Sequence, residues 1–93
     1  KKKKGRELNP DFVPAVDVPD GDGKIVGIKN GPFGRIVGEG RGLVEIDTIG
    51  GILEVPVESL KSGVCGMCGR DCRAPGAKAT HEKSCARNYY MEE

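Results

Sequence analysis

The segment Cys65-Gly-Met-Cys68-Gly-Arg-Asp-Cys72, followed by His81-Glu-Lys-Ser-Cys85, contains all four cysteines and the one histidine of this 93-residue chain. Read as Cys-x2-Cys-x12-His-x3-Cys, it has the spacing of a tetrahedral zinc site. Gly66 and Gly69 leave the backbone around the first cysteine pair free to turn tightly. A metal ion supplies folding free energy that so short a segment cannot obtain from an apolar core. The sequence therefore predicts a small zinc-dependent unit near its C-terminal end.

The second half of this site is predicted to lie on a helix. His81 and Cys85 are four residues apart, so on a helix they project from the same face. Pro75 and Gly76 precede residues 77–80, where the helix can begin, and it is expected to continue through Arg87 to about Tyr90. The predicted zinc ligands are Cys65, Cys68, His81 and Cys85.

Residues 63–90 resemble a C2HC zinc finger, with Cys-x2-Cys-Gly-Arg on the knuckle and His-Glu-Lys-x-Cys on the helix. One position departs from the pattern of that family. Such fingers usually carry a large apolar residue four positions after the second cysteine, where this chain has Cys72. We interpret Cys72 as a small buried apolar side chain beneath the metal.

Three other interpretations of the cysteines stay open. Disulfides are arithmetically possible, although no signal peptide is recognisable and the histidine then has no role. An all-cysteine site would use Cys72 in place of His81. A reactive-cysteine enzyme is disfavoured, because no aspartate or asparagine is placed to orient His81.

Charge is distributed unevenly along the chain. Residues 1–6 contain five basic side chains and no acidic one, whereas residues 7–60 contain four basic and ten acidic side chains. Residues 61–93 contain six basic and four acidic ones, and the whole chain has a net charge of +1. The molecule is therefore a basic arm joined to an acidic middle. No apolar run approaches the roughly twenty residues that span a bilayer, so no membrane contact is expected.

The N-terminal arm, residues 1–19, is expected to be extended. Pro10, Pro14 and Pro19 exclude a helix and favour an extended backbone, and the lysine run repels itself. A solvated tail and an arm ordered by a partner both stay open. The cations predicted to contact a partner are Lys1, Lys2, Lys3, Lys4 and Arg6.

The middle of the chain, residues 20–62, is predicted to be a small β-barrel, because short strands alternate with glycine-containing turns. Residues 24–39 resemble the KOW motif of ribosomal and transcription-elongation proteins, with a glycine-centred loop between two strands. The ending Val55–Leu60 suits the last strand of an SH3-like barrel. This resemblance covers residues 22–60 and implies a mainly β fold. An SH3-like, KOW-type barrel would then lie between the extended basic arm and a C-terminal zinc knuckle plus helix, residues 63–93.

The clearest strand signal is the pair of segments around Gly50-Gly51. A two-residue glycine loop predicts a tight hairpin with positive φ at both positions. This loop places Asp47 opposite Glu54, and like charges directly opposite each other destabilise a sheet. The two acids are either solvated or a docking surface for cations, and we include both among the predicted partner-binding residues. The predicted core face consists of Val44, Ile46, Thr48, Leu53, Val55 and Val57.

The residues indicate a protein without catalytic function. No activated serine, carboxylate pair or open metal site is recognisable. We expect an accessory or structural protein that docks onto a larger assembly, such as a virion shell or a nucleoprotein machine, through its arm and acidic barrel. The alternative is a DNA- or RNA-binding transcription or translation factor whose lysine arm and finger contact phosphates, although the acidic barrel disfavours it. No small-molecule substrate is expected, and free thiols favour the cytoplasm or a virion assembled there.

Overall fold

The structure, a computed structural model, describes residues 7–91. These residues form one four-stranded antiparallel sheet, one short two-stranded ladder and one α-helix. The mainly β character predicted from the sequence is confirmed. The elements are β1 (Glu7–Leu8), β2 (Ile25–Gly27), β3 (Phe33–Gly40), β4 (Leu43–Thr48), β5 (Gly51–Pro56), a 3-10 helix (Val57–Ser59), α1 (Pro75–Tyr89) and β6 (Tyr90–Met91).

The four-stranded sheet has the order β2-β3-β4-β5 and does not close into a barrel within the described residues. The nearest approach to closure is a single bridge between Ile28 and Leu60. Beside it, the Lys61 amide donates to the Gly27 carbonyl over 2.8 Å. A closed barrel requires a continuous ladder between its first and last strands. Here the chain after the 3-10 helix pairs for one residue and then enters the cysteine segment, so the predicted SH3-like barrel is not confirmed.

The apolar core lies on one face of the sheet. Val44 and Ile46 of β4 are buried there, Ile46 completely, and they contact Ile28. Their half-buried neighbours are Val26, Val55 and Leu60. The predicted core face is therefore confirmed for β4. In β5 and the 3-10 helix the predicted core face is only partly covered, because Leu53 is 42% exposed and Val57 is 51% exposed.

The register of the β4–β5 hairpin differs from the prediction. Glu54 lies opposite Glu45, and Asp47 lies opposite Ile52. The predicted opposition of Asp47 to Glu54 is therefore wrong. Each side chain nevertheless keeps its predicted face, because the pairing shifts by two residues along β5, so that Ile46 lies opposite Leu53 instead of Val55. A directly opposed pair of acidic residues also persists, at a different position.

A threonine at the turn accounts for the altered register. The Thr48 hydroxyl accepts a hydrogen bond from the Gly50 amide over 3.2 Å and donates to the Gly51 carbonyl over 2.7 Å. This local bonding pairs Thr48 with Gly51 and makes Ile49-Gly50 the loop. Of the two glycines, only Gly51 has a positive φ, +126°. The loop with positive φ at both positions is instead Arg41-Gly42, between β3 and β4.

The described part of the arm packs onto the C-terminal unit. Leu8 of β1 pairs with Tyr90 of β6, and the Phe12 ring meets the Tyr89 ring edge-on, with centroids 4.6 Å apart. The arm also contacts the sheet, since the buried Arg35 donates from Nε to the Pro19 carbonyl over 2.6 Å. Residues 9–19 contain no helix, as the prolines predict. The predicted partner contacts Lys1, Lys2, Lys3, Lys4 and Arg6 lie outside the described residues.

The predicted helix is confirmed, although its start lies two residues before the predicted region, residues 77–80. It begins at Pro75, whose fixed φ suits the first helical position, and ends at Tyr89. Arg87 in the last turn complements the negative end of the helix dipole. Within residues 7–91, no helix combines the length and apolarity needed to cross a bilayer.

We predict that Ile46→Ala destabilises the fold by about 2–5 kcal/mol, because it leaves a cavity at a fully buried site. The matched control is Ile49→Ala, at a loop position that is 69% exposed, and its effect should stay within about 0.5 kcal/mol. Urea unfolding followed by circular dichroism measures both values. Equal effects at the two positions would contradict the observed core.

Candidate metal centre

The four predicted ligands converge on one point. Their ligand atoms all lie within 4.8 Å of one another, with the three cysteines buried and the histidine half-buried. The shortest approach joins Cys68 Sγ and His81 Nε2 at 3.2 Å. Zinc–sulfur bonds of about 2.3 Å at tetrahedral angles place two sulfurs about 3.8 Å apart. The cluster, formed by Cys65, Cys68, His81 and Cys85, therefore has the size of a tetrahedral metal site.

A short hairpin presents the first two thiols. The Cys65 amide donates to the Arg70 carbonyl over 2.9 Å, and the Cys72 amide donates to the Gly63 carbonyl over 2.8 Å. Inside this turn, the Met67 amide points at Cys65 Sγ from 3.4 Å. We call residues 63–72 the knuckle.

Two glycines of the knuckle, Gly63 with φ +80° and Gly69, have a conformation that other residues rarely adopt. Gly69 has φ +84°, and a Cβ added there would overlap Val16 Cγ2 of the arm. Gly66 has no positive φ, although an added Cβ would lie 3.1 Å from Lys24 Cγ. Of the two glycines predicted to form the turn, only Gly69 therefore requires the left-handed region.

Helix α1 supplies the other two ligands as predicted. His81 and Cys85 lie one turn apart on the face that meets the knuckle. Between them, the Glu82 carboxylate accepts a hydrogen bond from the Gly66 amide over 3.1 Å. This contact joins the helix to the knuckle beside the ligands and fixes their relative position.

Cys72 is outside the ligand cluster. Its Sγ lies 3.8 Å from the Arg70 carbonyl oxygen, and the side chain is half-buried. It lines an open surface depression of about 720 Å³ that also includes Arg73 and His81. The interpretation of Cys72 as a buried apolar side chain beneath the metal is therefore wrong, because the knuckle turns this residue toward the depression. All four cysteines are free thiols, so the disulfide alternative is not realised.

Burial raises the pKa of two of the ligand thiols. It raises the pKa of Cys68 above its ordinary value. It also raises the pKa of Cys85, and hydrogen bonds with Cys65 and Cys68 raise it further. Metal binding requires thiolates, so a metal ion must displace these protons. We therefore expect metal affinity to rise with pH and to fall on acidification.

The knuckle and α1 together are called the metal unit, and both the arm and the sheet contact it. Phe12 and Met67 pack against the cysteine cluster. The Ala15 amide donates to the Cys68 carbonyl over 2.8 Å, and the Ile25 amide of β2 donates to the Gly66 carbonyl over 2.9 Å. Sequence reasoning did not assign these residues to the site. The available signal was the set of isolated apolar residues in the arm, Phe12, Val13, Val16 and Val18.

Comparison with known proteins adds no identity to this site. No protein-family model, curated protein or solved structure matches the chain. The resemblances to C2HC fingers and to KOW proteins therefore have no support from a family match. The clustering of the four candidate ligands is evident from the geometry of the chain alone.

We predict that His81→Ala lowers metal affinity by more than about a hundredfold, because losing a ligand costs more than losing a residue that orients one. Cys72→Ala is the matched control, and the metal content should stay unchanged. Elemental analysis of both purified variants provides the measurement. Metal retained in His81→Ala and lost in Cys72→Ala would instead establish an all-cysteine site.

We predict that a chelator releases the arm together with the metal unit. The amides of Asn9 and Ala15 donate to carbonyls of that unit, so they should lose protection from hydrogen exchange when the metal is removed. Amides of β4 should stay protected, because the core around Ile46 contains no metal ligand. Loss of protection in β4 at the same chelator concentration would show one cooperative unit, contrary to this prediction.

Proposed function

We propose that the metal is zinc and that its role is structural. Three thiolates and one imidazole form the soft donor set that zinc prefers. The four donors complete a tetrahedron and leave no position for a substrate, as in structural sites. The observation that carries this proposal is the convergence of Cys65, Cys68, His81 and Cys85. We accordingly propose a protein without enzymatic activity.

The arrangement of the elements supports a C2HC-type finger joined to an SH3-like unit. A knuckle followed by a helix carries the ligands, as in such fingers. After the 3-10 helix, the chain returns to the end of β2 through the bridge between Ile28 and Leu60. In this proposal the bridge is a minimal form of the contact that closes an SH3-like barrel.

We further propose that the protein docks onto a larger protein or nucleoprotein assembly through the acidic side of β4 and β5. We call this surface the acidic face, and its residues are Glu45, Asp47, Ile52 and Glu54. Within residues 7–91 none of its carboxylates forms an ion pair. Arg35 is paired with Asp47 in the β3–β4 register, but its guanidinium bonds to the carbonyls of Pro19 and Gly23 instead.

The composition of the acidic face favours a cationic partner. Glu45 and Glu54 are exposed and directly opposed, which destabilises the isolated sheet by about 0.2–1 kcal/mol. A cation from a partner relieves that repulsion. Ile52 is 64% exposed among these acids and adds apolar area for contact. The lysine run Lys1–Lys4 and Arg6 are proposed as a second contact, with acidic surfaces or phosphates.

Nucleic-acid binding is the second candidate function. The observation that favours it is the pair of exposed arginines, Arg70 and Arg73, which line the depression next to His81. The acidic face repels a phosphate backbone, so we place this function second. Removal of the acidic charges should weaken docking to a cationic partner, whereas it should strengthen binding to nucleic acid.

We predict that a triple variant, Glu45→Gln, Asp47→Asn and Glu54→Gln, loses attachment to its native assembly. The domain should be as stable as the wild type or slightly more stable, since repulsion is removed. Co-purification from nuclease-treated native lysate, compared with the wild type, measures attachment. A second triple variant, Asp11→Asn, Asp17→Asn and Glu58→Gln, removes the same number of negative charges at exposed positions outside the acidic face and provides the matched control.

The same triple variant tests the nucleic-acid alternative. Under the docking proposal, the wild type and the triple variant should both bind generic duplex DNA weakly and with a shallow dependence on salt. Tight duplex binding with a steep salt dependence, strengthened in the triple variant, would refute docking in favour of phosphate contacts.

A further inference from the structure

We propose that the outer edge of β5 binds an extended segment of a partner protein as an added strand. That segment would carry lysine or arginine at every second position. This inference rests on the docking function proposed above and specifies the chemistry of the partner. The acidic face contributes charge recognition, and the backbone of β5 contributes hydrogen bonds.

The uncovered edge of the sheet is β5. The opposite edge strand, β2, is covered by the bridge from Ile28 to Leu60 and by the hydrogen bond from Ile25 to Gly66. Strand β5 pairs only with β4 among the described residues, and nearly all of its residues are exposed. An exposed edge of this kind is a template for pairing with another chain.

The ladder shows which backbone groups point outward. The Val57 amide donates to the Gly42 carbonyl over 2.9 Å, and hydrogen-bonded pairs alternate along an antiparallel ladder. Val55 and Leu53 therefore bond to β4. The N–H and C=O groups of Ile52 and Glu54 point away from β4, toward the open edge.

A proline limits how far an added strand can extend. Pro56 is the next outward-facing position, and it has no N–H to donate. On the other side, β5 begins at Gly51, directly after the turn. The acceptor edge is therefore short and centred on Leu53, so it suits a brief segment with a single register. A short ladder of this kind needs further recognition from side chains.

Charge on the acidic face supplies that recognition. Glu54 lies on the accepting strand and Glu45 lies directly behind it, without an ion pair in the described part of the chain. Alternate residues of an added strand lie over this face, and basic side chains there are within reach of the carboxylates. The residues between them lie beside Leu53 on the other face, which is 42% exposed and apolar. An alternation of basic and apolar residues therefore fits both faces.

A second copy of this chain fits the edge less well. Two β5 strands paired through Leu53 would put Glu45, Asp47 and Glu54 of both copies on one continuous face. Like charges in such a sheet destabilise it, and Glu54 would meet only the apolar Ile52 of the other strand. Charge complementarity therefore favours a basic partner segment over self-association.

The test uses a fluorescent, capped octapeptide of alternating lysine and valine. Its binding to the zinc-loaded full chain is measured by anisotropy at low and high salt. The matched probe is the same peptide N-methylated on the residues of one edge, which cannot donate to β5. We expect N-methylation to weaken binding at least tenfold, as the loss of two hydrogen bonds implies. A glutamate–valine peptide should not bind.

Two protein variants distinguish the backbone hydrogen bonds of the β5 edge from the charge recognition by the acidic face. Glu54→Pro removes an outward N–H at an edge position that tolerates proline, and Glu54→Gln keeps the N–H but removes the charge. Both variants should weaken peptide binding. In the wild type, adding the peptide should change the NMR chemical shift of the Ile52 amide, and Glu54→Pro should abolish that change. Retained zinc content and β4 protection from hydrogen exchange confirm that each variant is folded.

Three outcomes would overturn the inference. If charge variants weaken binding while N-methylation does not, strand addition is wrong although docking through the acidic face stands. If neither the acidic residues nor the peptide charge matters, both proposals fail. If the chain dimerises through β5 and excludes the peptide, the occupant is a second copy.

Discussion

The convergence of four side chains that can hold a single metal ion determines the architecture of the C-terminal unit, the knuckle and α1. The knuckle supplies two thiols, and α1 supplies an imidazole and a third thiol. The buried residues of this cluster are the ligands Cys65, Cys68 and Cys85 themselves, so the unit has almost no apolar core of its own. A metal ion held by these ligands would supply folding free energy that this small core does not. The hydrogen bond from the Gly66 amide to Glu82 and the contact between Cys68 and His81 also join the knuckle to α1.

The metal unit in turn organises the N-terminal arm. Phe12 packs against the cysteine cluster and Tyr89, and Ala15 bonds to the carbonyl of Cys68. Gly69 leaves space for Val16, so the turn that presents a ligand also accommodates the arm. The segment therefore belongs to the body of the molecule from Leu8 onward. Metal loading and the position of the arm are physically coupled through these contacts.

The sheet provides a surface that differs from the metal unit in both charge and exposure. One face buries Ile46 and its neighbours, while the other has Glu45, Asp47 and Glu54 without described ion pairs. This division follows from the two-residue period of a strand. The two directly opposed carboxylates destabilise the sheet only slightly, and a cation placed between them would turn that repulsion into attraction. A stable core and an unsatisfied surface can therefore belong to the same two strands.

The sequence by itself determined the four candidate ligands, the presence of a C-terminal helix that carries two of them and the buried face of β4, because each depends on local spacing or periodicity. It could not determine the register of β4 and β5, since the Thr48 hydroxyl competes with the glycine loop for the turn. It also could not place Phe12 and Ala15 against the metal unit or turn Cys72 outward. The contacts of Phe12 and Ala15 join segments more than fifty residues apart within the limited space around one ligand cluster, whereas the direction of Cys72 depends on the turn of the knuckle. Only the tertiary structure decides which distant residues share that space.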